Sequence, residues 1–340
     1  MDTMKALVCV EPGRLALELR PATVRRDGEV LVRPRRVGIC GTDYHIFEGK
    51  HPFLAYPRVM GHELAVEVVE APATSELRAG EIVVVNPYLS CGTCIACRRG
   101  KPNCCTSIAV LGVHRDGGMT ELLSLPPGNL IRAEGLDPDA CATVEFLAIG
   151  AHAVRRGMVT LADRVLVIGA GPIGLGVALF ARRLGAEVTL LDLDAERIAT
   201  AVPLTGALRG LVSGAADGEA IAAATNGEGF DVVFDATGNG GSIQRGFDHV
   251  AHGGRYVLVS IVKGDITFTD ADFHRKEMTL LGSRNATAED FETVIAAIRA
   301  NEVPVARLIT HRTSLARAAD DIALWTTSKT GLIKAVIEMD

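Results

Sequence analysis

Five cysteines lie close together in the chain, and their spacing is typical of a metal site. Cys91, Cys94 and Cys97 are each separated by two residues, and Cys104 and Cys105 follow after a short loop. Thiolates at this spacing can converge from a turn, and a fourth from beyond the loop closes a tetrahedron with no open coordination position. The cluster therefore predicts a structural metal ion, zinc first of all. An iron–sulfur cluster uses the same ligands, and the spacing leaves open whether Cys104 or Cys105 takes part.

A second group of residues has the composition of a catalytic metal site. Cys40, His62, Glu63 and Glu145 offer a thiolate, an imidazole and two carboxylates. A mixed set of this kind with one open position is typical of catalytic zinc. Each residue also has an ordinary structural interpretation, since Cys40 could be a small core residue and His62 a loop histidine. Their spacing does not by itself join them into one site.

A glycine-rich turn predicts a dinucleotide-binding site. The apolar run 165–168 leads directly into the residues Gly169, Ala170, Gly171, Pro172, Ile173 and Gly174. In this pattern the first glycine permits a tight turn, the second lets the backbone approach a pyrophosphate, and the third allows close packing of helix on strand. The N-terminus of the helix that follows would face the phosphates.

Residues at later strand ends extend this site. Asp192 ends the next predicted strand, about twenty residues beyond the glycines, where an acidic residue binds the ribose hydroxyls. Its charge would repel a 2′-phosphate and so favours NAD over NADP, whereas Arg197 nearby could serve a phosphate. Thr237 follows one later predicted strand, and the pair Ser260 and Ile261 closes the next; the carboxyl ends of such strands line the ligand in these folds. They could equally be ordinary turn residues.

The distribution of predicted strands and helices indicates two domains, and 340 residues are enough for both. Short β-branched runs separated by turns dominate up to about residue 138. From a helix at 140–156 onward, strands alternate with helices, which predicts a doubly wound parallel sheet. We therefore expect an α/β protein with a β-rich domain at 1–148 and 287–340 and an inserted cofactor domain at 149–286.

Composition excludes several classes of protein. The net charge of −6 and the pI of about 5.9 offer no basic surface for nucleic acid. The N-terminus lacks the apolar core of a signal peptide. The longest uncharged run, 165–181, is rich in glycine and is better explained as a buried strand, turn and helix than as a membrane span. We expect a cytoplasmic protein, where reducing conditions favour metal binding over disulfides for clustered cysteines.

Taken in chain order, these motifs resemble the zinc-containing medium-chain dehydrogenases. The segments that carry the resemblance are Gly38-Ile39-Cys40-Gly41-Thr42-Asp43, Gly61-His62-Glu63, the cysteine cluster and the glycine-rich turn. The resemblance covers nearly the whole chain and is closest to the polyol (sorbitol-type) and threonine dehydrogenase branch, with its bacterial sugar-acid oxidoreductases. It implies a GroES-like catalytic domain around a Rossmann domain, and a homotetramer or dimer.

The resemblance also implies the metal ligands. Cys40 and His62 match the catalytic zinc ligands; Glu63 commonly ligates in this branch, and Glu145 binds directly or through water. Phe146 stands where the family usually has proline after this glutamate, which is a departure from the pattern. The structural zinc ligands would be Cys91, Cys94, Cys97 and Cys105, with Cys104 as an extra thiol.

The implied reaction is the oxidation of a secondary alcohol. Zinc lowers the pKa of the substrate hydroxyl, Thr42 and His45 match the proton relay, and NAD accepts the hydride. Asp43 matches the carboxylate that orients the zinc-bound imidazole, and His45 could equally be an exposed loop residue.

The substrate is expected to be polar. The loop 47–53 follows the relay, and His114, Arg115 and Arg284 could offer cationic contacts to substrate or cofactor. These charges could equally be solvated loop residues, but several donors near a zinc site suit a polyol or sugar acid. The enzyme alternatives are an L-threonine or simple alcohol dehydrogenase. The alternative of another class is a non-catalytic nucleotide-binding relative, similar to the lens crystallins of this fold, which generally lack the zinc ligands.

Overall fold

The computed structural model describes residues 2–51, 54–214 and 217–339. The chain divides into two compact units: Met1–Glu145 together with Thr287–Asp340, and Phe146–Ala286. The expected first boundary, after residue 148, lies in the same continuous helix as Glu145.

The strands, in chain order, are β1 (Thr3–Glu11), β2 (Arg14–Pro21), β3 (Val30–Ile39), β4 (Arg58–Val59), β5 (Glu63–Glu70), β6 (Ile82–Val85), β7 (Tyr88–Leu89), β8 (Ala109–Val110), β9 (Leu123–Leu125), β10 (Leu130–Arg132), β11 (Arg164–Ile168), β12 (Glu187–Asp192), β13 (Arg209–Val212), β14 (Phe230–Asp235), β15 (Val250–Leu258), β16 (Thr279–Gly282), β17 (Ile309–Ser314) and β18 (Lys334–Glu338). The helices are α1 (Gly41–Phe47), α2 (Ile95–Arg98), α3 (Pro138–Arg156), α4 (Pro172–Arg183), α5 (Ala195–Thr205), α6 (Asp217–Thr225), α7 (Gly240–Gly246), α8 (Asp270–Arg275), α9 (Ala288–Arg299), α10 (Val305–Leu308) and α11 (Ala318–Thr327).

The first unit is built around a seven-stranded sheet. Its strands run in the order β10-β6-β5-β3-β18-β17, with β9 also paired to β3. Strand β18 comes from the end of the chain and pairs antiparallel with β3, so that Val336 lies opposite Gly38. On its other side β3 pairs with β5, and Gly38 lies opposite Glu63. Three strands from distant parts of the sequence are thereby held side by side.

The second unit contains a six-stranded parallel sheet in the order β13-β12-β11-β14-β15-β16. Counted within the unit this is the order 3-2-1-4-5-6 of a dinucleotide-binding doubly wound fold, in which ligands bind outside the carboxyl ends of the strands. The apolar runs of these strands are buried, as a parallel sheet requires. The prediction of a β-rich unit and a doubly wound parallel sheet is confirmed.

Two details of the sequence interpretation are wrong. Strand β2 was not predicted, although Leu15, Leu17 and Leu19 occupy every second position along it. Strand β15 ends at Leu258, so Ser260 and Ile261 lie beyond it rather than closing it. Within the described ranges, every helix is too short or too polar to traverse a lipid bilayer.

Candidate metal centres and cofactor site

Cys40 is held at the start of a short helix. It is the N-cap residue of α1, and its side chain and that of Asp43 form a reciprocal capping box with the backbone. The Asp43 carboxylate accepts a hydrogen bond of 2.9 Å from the Cys40 amide and one of 3.3 Å from the Gly61 amide. Asp43 thus links the Cys40 turn to the segment that carries His62.

His62 lies directly before β5 and is buried. Its Nδ1 atom has no hydrogen-bond partner in the described ranges and lies 4.0 Å from Asp43 Oδ1. Burial lowers the pKa of His62, but the neighbouring charges of Cys40 and Asp43 outweigh burial and raise the pKa well above its ordinary value. Burial raises the pKa of Asp43 itself. A cation is therefore favoured at this position.

Glu63 forms a buried ion pair with a lysine from the last strand. Lys334 Nζ lies 2.6 Å from Glu63 Oε1 and 2.8 Å from Oε2, and it also donates to the Ile39 carbonyl at 3.3 Å. The two side chains meet across β3 at Gly38, where an added Cβ would lie 2.2 Å from Glu63 Oε2. Burial lowers the pKa of Lys334, yet the charge of Glu63 raises it above its ordinary value.

Glu145 lies in α3 and is also buried. Its Oε1 accepts a short hydrogen bond from the Tyr88 hydroxyl, and its Oε2 is buried without a hydrogen-bond partner among the described residues. Burial raises the pKa of Glu145 to about 7, opposed by the nearby charge of His62. Burial and Glu145 raise the pKa of Tyr88 well above its ordinary value, so this hydroxyl keeps its proton and donates.

These side chains fit a metal ion. One ligand atom each from Cys40, His62 and Glu63 lies within 4.8 Å of the others, and Glu145 contributes an unpartnered buried oxygen. A thiolate, an imidazole and carboxylates are a donor set suited to zinc with an open position. We call Cys40, His62, Glu63 and Glu145 the metal centre.

The cysteine cluster also converges in the fold. The ligand atoms of one set of four thiols lie within 4.8 Å of one another, and we call these residues the cysteine lobe: Cys91, Cys94, Cys97 and Cys105. Cys105 is buried, whereas Cys104 is exposed and lies outside the set. Hydrogen bonds lower the pKa of Cys94 to about 5 and that of Cys91 to about 7, whereas burial and hydrogen bonds with the neighbouring thiols raise the pKa of Cys97 to about 11. Thiolates at neutral pH are the form that a metal binds.

The glycine-rich turn has the geometry of a phosphate-binding loop. Gly169 follows β11 with a φ of 95°, a conformation that favours glycine. Gly171 is the N-cap of α4, which begins with Pro172 and Ile173. An added Cβ at Gly174 would lie 1.8 Å from the Gly169 carbonyl oxygen, so only glycine fits there.

Asp192 ends β12 beside this turn. Its Oδ2 accepts a hydrogen bond of 2.7 Å from the Ala170 amide, and its Oδ1 accepts one of 3.0 Å from the Asp194 amide. The Arg197 guanidinium lies 3.6 Å from Asp192 Oδ2. The carboxylate is thereby fixed against the turn, and Arg197 is held next to it.

The remaining predicted residues lie at different places. Thr42 and His45 are three residues apart on α1 and so share a face, with His45 exposed. Thr237 follows β14, and both its amide and its hydroxyl donate to Asp235. Ile261 is 82% exposed, and Arg284 is also exposed.

The residues suggested for substrate contact are only partly described. Pro52 and Phe53 of the loop 47–53 lie outside the described residues. Lys50 in that loop pairs with Glu48 at 3.0 Å. His114 accepts a hydrogen bond from the Val110 amide within its own turn, and Arg115 follows it.

Sequence reasoning missed two residues that contact the metal centre. Lys334 had a detectable signal, since it is a charged residue inside the apolar run Lys334–Glu338 that forms a buried strand. Tyr88 had none, because an aromatic residue before the cysteine cluster is equally expected in the core.

The chain was compared with known proteins. Residues 26–135 match the alcohol dehydrogenase GroES-like domain, and residues 172–300 match the zinc-binding dehydrogenase domain. L-galactonate-5-dehydrogenase of Escherichia coli (strain K12) is 41% identical, covering 99% of both chains. The crystal structure of the alcohol dehydrogenase RspB from E. coli CFT073, complexed with NADH, is 30% identical with a TM-score of 0.93 and 99% coverage of both chains. A zinc-binding dehydrogenase from Sinorhizobium meliloti 1021, bound to NADP, is 27% identical with a TM-score of 0.91 and full coverage of both.

Proposed function

The chain belongs to the zinc-dependent medium-chain alcohol dehydrogenases, and from this we propose that it oxidises a secondary alcohol of a polyol or sugar acid with NAD. The observation that carries the proposal is the convergence of Cys40, His62 and Glu63 within 4.8 Å. The first unit would supply the catalytic residues, and the second would hold the nucleotide. Relatives of this fold without catalysis generally lack these ligands, which argues against a binding role alone.

The metal centre would hold zinc through Cys40 and His62, with carboxylate from Glu63 or Glu145. Zinc bound there acts as a Lewis acid and lowers the pKa of an alcohol hydroxyl. The cysteine lobe would hold a second, structural zinc ion, since four thiolates leave no position for substrate.

Separate residues of the chain would orient the imidazole and transfer the proton. Asp43, close to His62 Nδ1, orients the imidazole. Thr42 would take up the hydroxyl proton of the substrate while releasing its own toward His45, which is exposed on the same face of α1 and can pass a proton to solvent. NAD held by the second unit would accept the hydride that leaves the substrate carbon.

A polyol or sugar acid is the substrate class that the relatives support. The E. coli relative of 41% identity acts on a sugar acid, as its name states. The candidate cationic contacts for a substrate carboxylate or hydroxyls remain His114, Arg115 and Arg284. The residues proposed to contact the cofactor are Thr237, Ser260, Ile261 and Arg284.

The preference for NAD rests on Asp192. A carboxylate at this position accepts hydrogen bonds from ribose hydroxyls and repels a 2′-phosphate. We expect Asp192→Ser to raise the NADP-to-NAD ratio of kcat/KM by at least tenfold, since Arg197 would be released from its partner. The control is Glu196→Ser, because Glu196 lies four residues later, is exposed and belongs to the first turn of α5. An unchanged ratio in Asp192→Ser would contradict this role.

The function is tested by following NADH formation with sugar acids, polyols, L-threonine and simple alcohols, with and without a chelator. We expect a chelator-sensitive rate on one polyhydroxylated class. Cys40→Ser and His62→Ala should abolish turnover while NAD still binds. Full turnover by metal-free His62→Ala, or equal rates on simple aliphatic alcohols, would refute the proposal.

We also propose a cytoplasmic homo-oligomer, a tetramer or a dimer. The free thiols of the described chain support a reducing compartment. Mass measurement of the native protein by light scattering would test the assembly.

A further inference from the structure

The two carboxylates of the metal centre have opposite hydrogen-bonding arrangements. Both oxygens of Glu63 accept from Lys334, at 2.6 and 2.8 Å. Within the part of the chain that the structure describes, the Tyr88 hydroxyl engages one oxygen of Glu145, and the other oxygen is buried with no hydrogen-bond partner. A buried carboxylate oxygen without a partner is costly unless a ligand or ion satisfies it. Any oxygen of Glu63 that binds an ion must also accept a hydrogen bond from Lys334. Glu145 Oε2 has no such competing partner among the described residues.

Tyr88 is itself held rigidly. It lies in β7, is 7% exposed, and its ring packs edge-on against Phe291 with centroids 6.5 Å apart. Its amide donates to Asn86 Oδ1 at 3.1 Å, and its carbonyl accepts from Asn129 Nδ2 at 3.4 Å. The hydroxyl therefore has a fixed position from which to hold one oxygen of Glu145.

We propose that Tyr88 is a positioning residue for the metal centre, which anchors Glu145 Oε1 and so presents Oε2 as the carboxylate oxygen that completes the zinc ligand set with Cys40 and His62. This inference rests on the proposed function, because it assumes that the centre binds zinc. It assigns Glu63, held by Lys334, to balancing charge beside the ion. Outer partners of this kind fix the orientation of a ligand, and their loss typically costs about 10- to 100-fold in metal affinity.

The test measures metal binding by the full-length protein in Tyr88→Phe, which keeps the ring and removes one hydroxyl. We expect the zinc affinity of the metal centre to fall about 10- to 100-fold in competition with a chelator. We also expect the visible absorption of Co²⁺ at the centre to change. The cysteine lobe is the internal reference, because its affinity should not change.

Tyr256→Phe is the matched control. Its hydroxyl is also buried and donates at 2.9 Å to the Ile243 carbonyl, in the second unit. It should lose a comparable hydrogen bond without any change in metal affinity or Co²⁺ spectrum. A purely structural role for Tyr88 predicts that the two variants behave alike.

Glu145→Gln identifies the route of the effect. If Tyr88 acts through Glu145, the Tyr88→Phe substitution should have no further effect on zinc affinity in the Glu145→Gln protein. Wild-type zinc affinity and an unchanged Co²⁺ spectrum in Tyr88→Phe would overturn this inference and leave the proposed function intact. A wild-type protein that binds zinc only at the cysteine lobe would overturn both.

Discussion

Replacing Lys334 by methionine should destabilise the first unit strongly. Lys334 is 2% exposed and Glu63 is fully buried, so the substitution leaves a carboxylate without its cation inside the protein. Breaking a buried ion pair from one side costs about 3–5 kcal/mol. With a denaturant slope of about 2 kcal/mol per M urea, the midpoint of unfolding should fall by roughly 1.5–2.5 M.

The single tryptophan of the chain makes the assay specific. Trp325 is buried in α11, in the same core cluster as Ala335 and Ile337 of β18. Its fluorescence during urea unfolding therefore reports on the unit that contains the substitution. Lys276→Met is the control, since Lys276 is half-buried and donates to three backbone carbonyls of the second unit.

The double variant Lys334→Met/Glu63→Gln separates charge from packing. Removing both charges should recover most of the lost stability, because no uncompensated carboxylate remains. A midpoint for Lys334→Met within about 0.5 M urea of the wild type, equivalent to about 1 kcal/mol, would refute the reasoning. So would a double variant no more stable than Lys334→Met.

Three further predictions concern other parts of the chain. Cys94→Ser should remove one zinc equivalent and lower the melting temperature, whereas exposed Cys104→Ser should change neither; equal zinc content in both would contradict the lobe assignment. Gly174→Ala should abolish NAD binding in a calorimetric titration while zinc content is retained, because its Cβ would lie 1.8 Å from a carbonyl oxygen of the phosphate loop. Asp139→Asn should destabilise the protein at pH 7, because hydrogen bonds from its arginine partners lower the pKa of this carboxyl. That contribution to stability is present above the unfolded pKa of about 3.9 and is lost as pH falls through the lower folded pKa. The difference in urea midpoint between wild type and variant should therefore shrink steadily below about pH 5. A difference independent of pH would exclude the charge as its cause.

Much of the fold was predictable because its signals are local. The turn at Gly169 and the helix that follows it are adjacent in the chain, so strand, turn and helix are specified together. The β-branched runs of the first unit also became strands. Strand β2 was missed even though the turn at Pro12 and Gly13 precedes it, since Leu17 and Leu19 are exposed and the strand has no clearly buried apolar face.

The choice between Cys104 and Cys105 shows where local spacing stops being sufficient. Both residues suit the fourth position by count, and only the short 3₁₀ turn Pro102–Cys104 directs the following thiol inward. Adjacent residues point in different directions, so a turn of one residue more or less would exchange them.

By itself the sequence determined the types of candidate ligand and the glycine-rich turn, because those depend on residue type and on neighbours in the chain. Only the tertiary structure decided which partner each carboxylate of the metal centre has. Glu63 and Lys334 are separated by 271 positions, and Tyr88 and Glu145 by 57. The physical reason is strand register: alternation along a strand tells which residues share a face, but not which strand lies beside it. That neighbour is selected by packing of the whole sheet, which brings β18 against β3 and lets a lysine reach a glutamate over Gly38.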